Sequence, residues 1–260
     1  MIPPEHATQE VPARPLSAGA QGHPAPDAAA RLIVALDFPA AAEALAFVDR
    51  LDGSCRWFKV GLELYLAAGN SIVETLKNRG FSIFLDLKLH DIPNTVAGAV
   101  RSVAGLGADL LTVHAGGGPA MLTAAAETAA RMKTAPQLLA VTVLTSMDAS
   151  QLTAIGIDSS PAAQALRLAK VAHASGIRGL VCSPEEAPQM RTELPGSILV
   201  TPGIRPAGAE IGDQKRIATP ASALAAGADY LVVGRPITRA ENPAATALSI
   251  LKEISTQIAE

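Results

Sequence analysis

Asp86-Leu87-Lys88-Leu89-His90-Asp91-Ile92-Pro93-Asn94-Thr95 is the stretch around which the rest of the chain is organised. It follows an apolar run at residues 81–85, which is typical of a buried strand. Side chains alternate between the two faces of a strand, so Asp86 and Lys88 are expected to point the same way. Pro93 ends the strand because it has no backbone N–H to donate. The stretch therefore predicts a cluster of charges where a core strand meets its loop.

Charges at such a position cost several kcal/mol unless they are paired or used in chemistry. Two interpretations fit the spacing alone, a structural ion pair and a catalytic group, because ion-pair networks also perturb pKa values.

The composition indicates a globular chain with a large core. Of the 260 residues, 49% are hydrophobic and 17% are charged, and the formal net charge is -3. This balance and the absence of Lys/Arg clusters argue against nucleic acid as a partner. No apolar run reaches the roughly 18 residues that a membrane span needs. Cys55 and Cys182 lie in apolar segments, which indicates two unpaired buried thiols in a cytoplasmic protein.

Residues 1–30 differ in composition from the rest of the chain. They are rich in Pro, Ala, Gly and Gln and lack apolar periodicity, which predicts a disordered N-terminal extension. They also lack the basic start and the apolar stretch of about 7–15 residues that a signal peptide needs. We expect a single catalytic domain over residues 31–260.

From residue 31 onward, apolar strand-like runs alternate with helical patterns. The strands are predicted at 32–36, 57–60, 81–88, 110–113, 138–144, 179–182, 198–201 and 230–233. The helices are predicted at 40–51, 62–78, 93–106, 118–133, 161–174, 184–192, 219–226 and 243–258. Near-continuous apolar strands are typical of a parallel sheet that is covered on both faces. The glycines at 53, 80, 107, 176 and 227 follow helices and indicate one recurring turn into the next strand.

This alternation predicts an α/β fold, a closed (β/α)8 TIM barrel. Barrels of this kind carry their chemistry at the carboxyl ends of the strands, where the polar residues of this chain concentrate. An open, doubly wound sheet is the alternative, and it is less favoured because no Gly-rich dinucleotide turn follows the first strand.

Closure of the barrel would gather acids and amines from distant strands. In this set each lysine has a carboxylate neighbour that keeps it charged, and a fixed protonated lysine is suited to deliver a proton to carbon. The members are Asp37, Lys59, Asp86, Lys88 and Asp91.

The loops after strands seven and eight form a candidate phosphate site. They contain Thr-Pro-Gly-Ile-Arg at 201–205 and Gly-Arg-Pro at 234–236. Glycine lets backbone N–H groups approach an anion, and arginine binds it with two hydrogen bonds. The polar loop at 204–216 is long enough to close as a lid. The alternative is a surface loop with a salt bridge.

Two histidines lie close to these strand ends. His114 ends the fourth strand, and no second residue has metal-ligand spacing with it, so we expect a neutral, hydrogen-bonded imidazole. His90 is expected to support the structure.

The stretch at 86–95 closely resembles the signature of the orotidine 5′-phosphate decarboxylase family. The resemblance extends to residues 36–37, 58–61, 201–205 and 233–236, and so covers about 32–258. It implies a carboxy-lyase that converts orotidine monophosphate to uridine monophosphate and CO2 in de novo pyrimidine biosynthesis, without a metal or an organic cofactor.

The resemblance also implies roles for individual residues. Lys88 is the proton donor to C6 of the pyrimidine, and Asp86 lies against the leaving carboxylate. Lys59 links Asp86 to the ribose, and Asp37 contacts a ribose hydroxyl. Asp91 and Thr95 resemble residues that reach the neighbouring subunit's site, which implies a homodimer. The remaining implied substrate-binding positions are Thr145, Arg205, Gln214, Gly234 and Arg235.

Two other functions remain open from the sequence. A related barrel uses the same Asp-x-Lys-x-x-Asp spacing for metal-assisted aldol chemistry or for decarboxylation of a sugar-acid phosphate, although Ile92 to Thr95 speak against it. A non-catalytic nucleotide-binding barrel is the second, and the complete set of charges argues against it.

Overall fold

The computed structural model describes residues 27–206 and 216–259. Eight parallel strands close into a barrel in sequence order, with the last strand paired to the first. The strands are Leu32–Ala35 (β1), Trp57–Gly61 (β2), Ser82–Leu89 (β3), Leu110–His114 (β4), Gln137–Val141 (β5), Gly179–Val181 (β6), Ile198–Thr201 (β7) and Tyr230–Val233 (β8). The predicted closed barrel is therefore confirmed, and the open-sheet alternative is wrong because β1 pairs with both β2 and β8.

Helices connect consecutive strands on the outside of the barrel. They are Ala28–Arg31 (α1), Ala41–Arg50 (α2), Leu62–Ala68 (α3), Asn70–Asn78 (α4), Pro93–Ala104 (α5), Gly118–Ala130 (α6), Ala149–Ala154 (α7), Pro161–Ala174 (α8), Ala187–Glu193 (α9), Pro220–Ala225 (α10), Arg235–Thr238 (α11) and Pro243–Ala259 (α12). In the part of the chain with described coordinates, no helix is long and apolar enough to cross a membrane.

The predicted turn from helix to strand recurs around the barrel. All five glycines that the sequence singles out have φ between +72° and +102°. Gly80 is an example, because its N–H donates to the carbonyl of Lys77 and the chain then enters β3. Glycine occupies this left-handed position without the steric strain of a side chain.

The core has two layers, one inside the barrel and one between the strands and the helices. In β1, Ile33 and Ala35 face the interior, whereas Leu32 and Val34 pack against the helices. The interior layer also contains Phe84 of β3. Because side chains alternate along a strand, Asp86 continues the inward row of Phe84 at the carboxyl end. The apolar interior thus ends in a charged layer.

Several helices differ from the sequence prediction. The helix predicted over 62–78 is two helices, because Gly69 between them adopts φ +62°. Helices α7 and α11 were not predicted. Helix α7 has a recognisable signal, a capping box in which Asp148 accepts a hydrogen bond from the N–H of Gln151 and the Gln151 side chain accepts one from the N–H of Asp148.

A short helix precedes the first strand of the barrel. The predicted disordered extension falls mainly on residues 1–26, which lie outside the described residues. Residues 28–30, assigned to that extension, are helical in α1. Asp27 caps this helix by accepting a hydrogen bond from the N–H of Ala30 at 3.0 Å, and the helix packs against α12.

Candidate active site

A cavity of about 490 Å³ opens at the carboxyl ends of the strands. Its wall contains eight of the residues predicted as site residues from the sequence: Asp37, Lys59, Asp86, Lys88, Thr145, Arg205, Gly234 and Arg235. Gln214 lies outside the described residues. Asp91 and Thr95 do not line this cavity and are exposed.

Asp86 is the centre of the charged cluster. Its side chain is 12% exposed. One carboxylate oxygen, Oδ1, accepts a hydrogen bond from Lys88 Nζ at 2.8 Å, and the other, Oδ2, lies 3.6 Å from Lys59 Nζ. Lys59 Nζ also donates to Asp37 Oδ1 at 3.0 Å. The four side chains thus alternate in charge across the mouth of the barrel.

These contacts fix the charge states of the two buried members. Burial alone would lower the pKa of Lys59, but the carboxylates of Asp86 and Asp37 outweigh it and hold that pKa above its ordinary value. Burial would likewise raise the pKa of Asp86, yet Lys59, Lys88 and the hydrogen bonds to the carboxylate hold it below its usual range. At neutral pH the site therefore contains an ionised carboxylate between two cations.

The absence of a side chain at Gly61 leaves room for the ion pair between Lys59 and Asp37. A Cβ at this position would lie 2.9 Å from Lys59 Nζ and 3.3 Å from Asp37 Oδ1. The backbone of Gly61 is extended, with φ -93°, so the constraint comes from the neighbouring charges and not from the dihedral angle. The sequence prediction did not assign Gly61 a role.

Lys88 has an unusual backbone for a non-glycine residue, with φ +49°. Such a conformation costs about 1–3 kcal/mol and persists where the surrounding structure enforces it. Asp86 and Lys88 are in contact, as predicted. The prediction assumed that side chains alternate regularly along β3 as far as Lys88. This assumption fails because the register of β3 against β4 shifts between Leu85 and Leu89. The N–H of Lys88 donates to the hydroxyl of Thr112 at 2.8 Å.

The two histidines support this region. His90 follows the end of β3, and its ring stacks on that of His114 with centroids 5.1 Å apart. His114 Nδ1 accepts a hydrogen bond from the N–H of Gly116 at 3.1 Å. Burial, together with His90 and Lys88, lowers the pKa of His114. The predicted hydrogen bond of His114 is present, and the direction of its pKa shift favours the neutral imidazole.

Two arginines from the segments after β7 and β8 also line the cavity. Arg205 is 7% exposed, and Arg235 lines the same cavity. Burial, and then the charge of Arg235, lowers the pKa of Arg205. A buried guanidinium whose charged form is disfavoured in this way favours the binding of an anion beside it. The backbone at Arg205 is held in place, because its N–H donates a hydrogen bond to the carbonyl of Ala218 at 2.8 Å.

A buried ion pair that the sequence did not predict lies beside the cavity. Arg216 is 7% exposed and pairs with Glu186, which is 2% exposed. The guanidinium also donates to the carbonyls of Val143 and Leu144, at 3.3 and 3.0 Å. These residues directly precede Thr145, so Arg216 joins the return of the long loop to the end of β5. This ion pair could not be predicted from the sequence, because Arg216 is far from Glu186, Val143 and Leu144 along the chain.

The residues after β3 project away from the barrel. Residues 90–95 are all exposed, including Ile92 at 67%. Asp91 was expected to join the charge cluster, but within one chain it does not line the cavity, because it lies beyond the end of the strand in this exposed run.

A family model described as orotidine 5′-phosphate decarboxylase / HUMPS family matches residues 30–250. The chain belongs to this family. Its resemblance to the decarboxylase signature is thereby confirmed.

Relatives of this family match almost along their whole length. The chain is 57% identical over 226 residues to an orotidine 5′-phosphate decarboxylase of Halorhodospira halophila, which covers 86% of this chain and 96% of the relative. It is 52% identical over 232 residues to one of Vibrio campbellii, covering 88% and 97%. A crystal structure of orotidine 5′-phosphate decarboxylase from Lactobacillus acidophilus superposes with a TM-score of 0.77 at 39% identity, covering 86% of this chain and 98% of that chain.

Proposed function

We infer that this protein is an orotidine 5′-phosphate decarboxylase, a carboxy-lyase that forms uridine monophosphate and CO2 in pyrimidine biosynthesis. The observation that carries this function is the array of Lys59, Asp86 and Lys88 in the wall of a cavity that Arg205 and Arg235 also line. The family model also covers the HUMPS group, whose name the two curated relatives described above do not carry. Their identity of 52–57% over nearly their full length favours decarboxylation.

Loss of CO2 from a pyrimidine without an electron sink leaves negative charge on C6. An enzyme accelerates this step only by stabilising that charge more strongly than it stabilises the substrate. In our proposal Lys88 is the cation at this position and the donor of the proton. Its amine is held at 2.8 Å from Asp86 Oδ1 before any substrate arrives, so little reorganisation is needed during the reaction.

The neighbouring charges place the rest of the nucleoside. We propose that Asp86 lies against the leaving carboxylate and that Lys59 and Asp37 bind the ribose hydroxyls. The support is that Lys59 is held between two carboxylates, at 3.0 Å from Asp37 Oδ1 and 3.6 Å from Asp86 Oδ2, so its position is set on both sides.

The part of the cavity that bears the two arginines is proposed to bind the phosphate. Arg205, Arg235 and the backbone at Gly234 line it, and Thr145 on the wall formed after β5 is proposed to contact the base. Gln214 stays a prediction from the resemblance, since it lies outside the described residues. Binding energy from the phosphate, far from the reacting carbon, is available to hold the pyrimidine in position.

We propose that the working unit is a homodimer in which Asp91 and Thr95 of one protomer complete the site of the other. The support is the exposed run at residues 90–95, in which a large apolar side chain, Ile92, is 67% exposed to solvent. A cytoplasmic location is proposed because Cys55 and Cys182 are buried free thiols. The barrel is proposed to act as one catalytic domain.

The proposed reaction uses no metal and no organic cofactor. In residues 27–206 and 216–259, no group of three or more His, Cys, Asp or Glu side chains is placed to hold a metal ion. Whether the activity depends on a metal is decided by experiment.

The test is the loss of orotidine monophosphate absorbance on addition of the purified full chain, with and without EDTA. We expect equal rates in both, with uridine monophosphate as product. Activity that EDTA abolishes would favour the metal-assisted chemistry. Nucleotide binding seen by calorimetry without release of CO2 would identify a non-catalytic barrel.

A further inference from the structure

Thr112 of β4 is a polar residue in the apolar interior of the barrel, and its side chain touches both Asp86 and Lys88. The residue has no exposed surface. Its hydroxyl accepts a hydrogen bond from the N–H of Lys88 at 2.8 Å and donates to Asp86 Oδ1 at 3.0 Å. An amide N–H is only a donor and an ionised carboxylate only an acceptor, so the single hydroxyl proton is committed to Asp86.

The backbone at Lys88 explains why this hydroxyl is needed. From the pair of Leu85 and Leu111 to the pair of Leu89 and Val113, β3 advances four residues while β4 advances two. Two residues of β3 are therefore in excess, and the regular ladder of hydrogen bonds is interrupted between these pairs. A buried N–H without an acceptor is unfavourable. The Thr112 hydroxyl takes the place of the missing backbone carbonyl for Lys88.

The amine of Lys88 also reaches back to Asp86. Lys88 Nζ lies 2.8 Å from Asp86 Oδ1. Asp86 Oδ1 is shared, since it accepts from both Lys88 Nζ and Thr112 Oγ1. Thr112 thus holds the backbone of the lysine and the carboxylate that its amine contacts.

We propose that Thr112 is a positioning residue for the decarboxylation, which sets the left-handed backbone of Lys88 and the orientation of the Asp86 carboxylate. Only the kinetic part of this inference rests on the proposed function. The structural part, the geometry of Lys88 and Asp86, is measurable without turnover. The competing explanation is that Thr112 merely fills space between β3 and the interior.

Two substitutions separate these explanations. Thr112→Val keeps the shape and removes the hydroxyl, whereas Thr112→Ser keeps the hydroxyl and removes a methyl group. For Thr112→Val we expect kcat to fall about 10- to 100-fold, as expected for a displaced reacting group, with KM changed less than about threefold. Thr112→Ser should restore kcat to within about fivefold of the wild type. Loss of one hydrogen bond to the carboxylate should also shift the acidic limb of the kcat/KM profile to higher pH in the Val variant alone.

Crystal structures of both variants provide the second readout. We expect the Val variant to lose the positive φ at Lys88 or the contact between its Nζ and Asp86 Oδ1, and the Ser variant to keep both. If Thr112→Val does not fold, Thr112→Ala removes the same hydroxyl without placing a methyl group beside the charges.

The outcomes are distinct. Wild-type kcat and unchanged Lys88 geometry in the Val variant would overturn the proposal. Equal losses in the Val and Ser variants would assign the effect to packing and overturn it as well. If the wild-type protein itself does not consume orotidine monophosphate, the proposed function fails, and the comparison of Lys88 geometry still decides the role of Thr112.

Discussion

Lys88 combines a strained backbone with a paired amine. Its φ of +49° and the contact of its Nζ with Asp86 place one cation at a fixed point on the cavity wall. The geometry is built before substrate binds, which is the condition under which a charge contributes most to stabilising a transition state.

Replacing Lys88 tests this directly. In Lys88→Ala we expect kcat to fall by more than about 1,000-fold, because the side chain that we propose as both proton donor and stabilising cation is lost. Nucleotide binding, measured by calorimetry with uridine monophosphate, should persist. Lys77→Ala is the matched control, since Lys77 makes an equally short ion pair with Asp109 at 2.8 Å but does not line the cavity. Unchanged turnover in Lys88→Ala would remove the residue from the mechanism.

Gly61 offers a test in which the fold is kept and the site is disturbed. A methyl group there would meet only the flexible end of Lys59 and the carboxylate of Asp37, so the free energy of unfolding of Gly61→Ala should change by less than about 1 kcal/mol. We expect kcat/KM to fall about 10- to 100-fold because the Lys59 amine must move. Gly105→Ala is the control, as its Cβ would lie 3.7 Å from its nearest contact. Equal kcat/KM in both variants would contradict the assignment.

The sequence predicted which charged groups line the cavity better than it predicted their geometry. Charged side chains at the ends of apolar strands are visible as a pattern, and barrel closure then brings Asp37, Lys59 and Asp86 together. Thr112 and Gly61 were missed, although a threonine within the apolar strand Leu110–His114 was a usable signal. The positive φ of Lys88 was not predictable, because it results from the pairing of β3 with β4 and not from local preference.

At the scale of elements, Arg216 connects segments that are distant in sequence. It pairs with Glu186 after β6 and donates to the carbonyls at the end of β5. Glu186 Oε2 also accepts a hydrogen bond from the N–H of Ser183 at 2.8 Å. Arg216, Glu186 and Ser183 are all buried, so the network holds the segments that follow β5 and β6 against Arg216 in one arrangement.

Removing one charge of this network should be costly. In Glu186→Gln the Arg216 guanidinium stays buried without its carboxylate, and we expect the free energy of unfolding to fall by about 3–5 kcal/mol in urea titrations. Glu193→Gln removes one charge of an exposed pair with Lys170, with side chains 42% and 51% exposed, and should cost less than about 1 kcal/mol. Similar losses in the two variants would show that the buried pair does not stabilise the fold.

The strands and most helices were predictable, and the exceptions have local causes. Apolar runs define β1 to β8, and the five helix-ending glycines mark turns into five of these strands. The break between α3 and α4 depends on a single glycine whose conformation the helical pattern does not reveal. The bend of β3 between Leu85 and Leu89 likewise depends on its partner strand.

At the scale of the whole molecule, the proposed homodimer is tested by mixing two inactive variants. Lys88→Ala disables the site of its own chain, and Asp91→Ala is expected to disable the site of its partner. When the two are unfolded and refolded together, half of the dimers are hybrids in which one site carries both defects and the other is intact. We expect about a quarter of wild-type activity in the mixture. No recovery would place both residues in the same chain's site.

The charged layer also couples stability to pH. The pKa of Asp86 in the folded protein lies below its unfolded value of 3.8, so its stabilising contribution is present above about pH 4 and is lost as pH falls through the folded pKa. Lys59 has a raised pKa, so its contribution is present below 10.5 and is lost as pH rises through the folded pKa.

Urea titrations of the wild type and Asp86→Asn at pH 7, 5, 4 and 3 measure the acidic part of this coupling. We expect the wild type to be the more stable at pH 7 and the difference in unfolding free energy to shrink below pH 4. A difference that stays constant with pH would contradict the depressed pKa of Asp86.

Helix α1 packs against α12 where the strands begin, at the pole of the barrel opposite the cavity. Attachment of the protein to a solid support through this pole would turn the mouth of the barrel toward the solution. Molecules tethered there should keep free diffusional access for a nucleotide, whereas tethering at the exposed run after β3 would obstruct the proposed pairing of protomers.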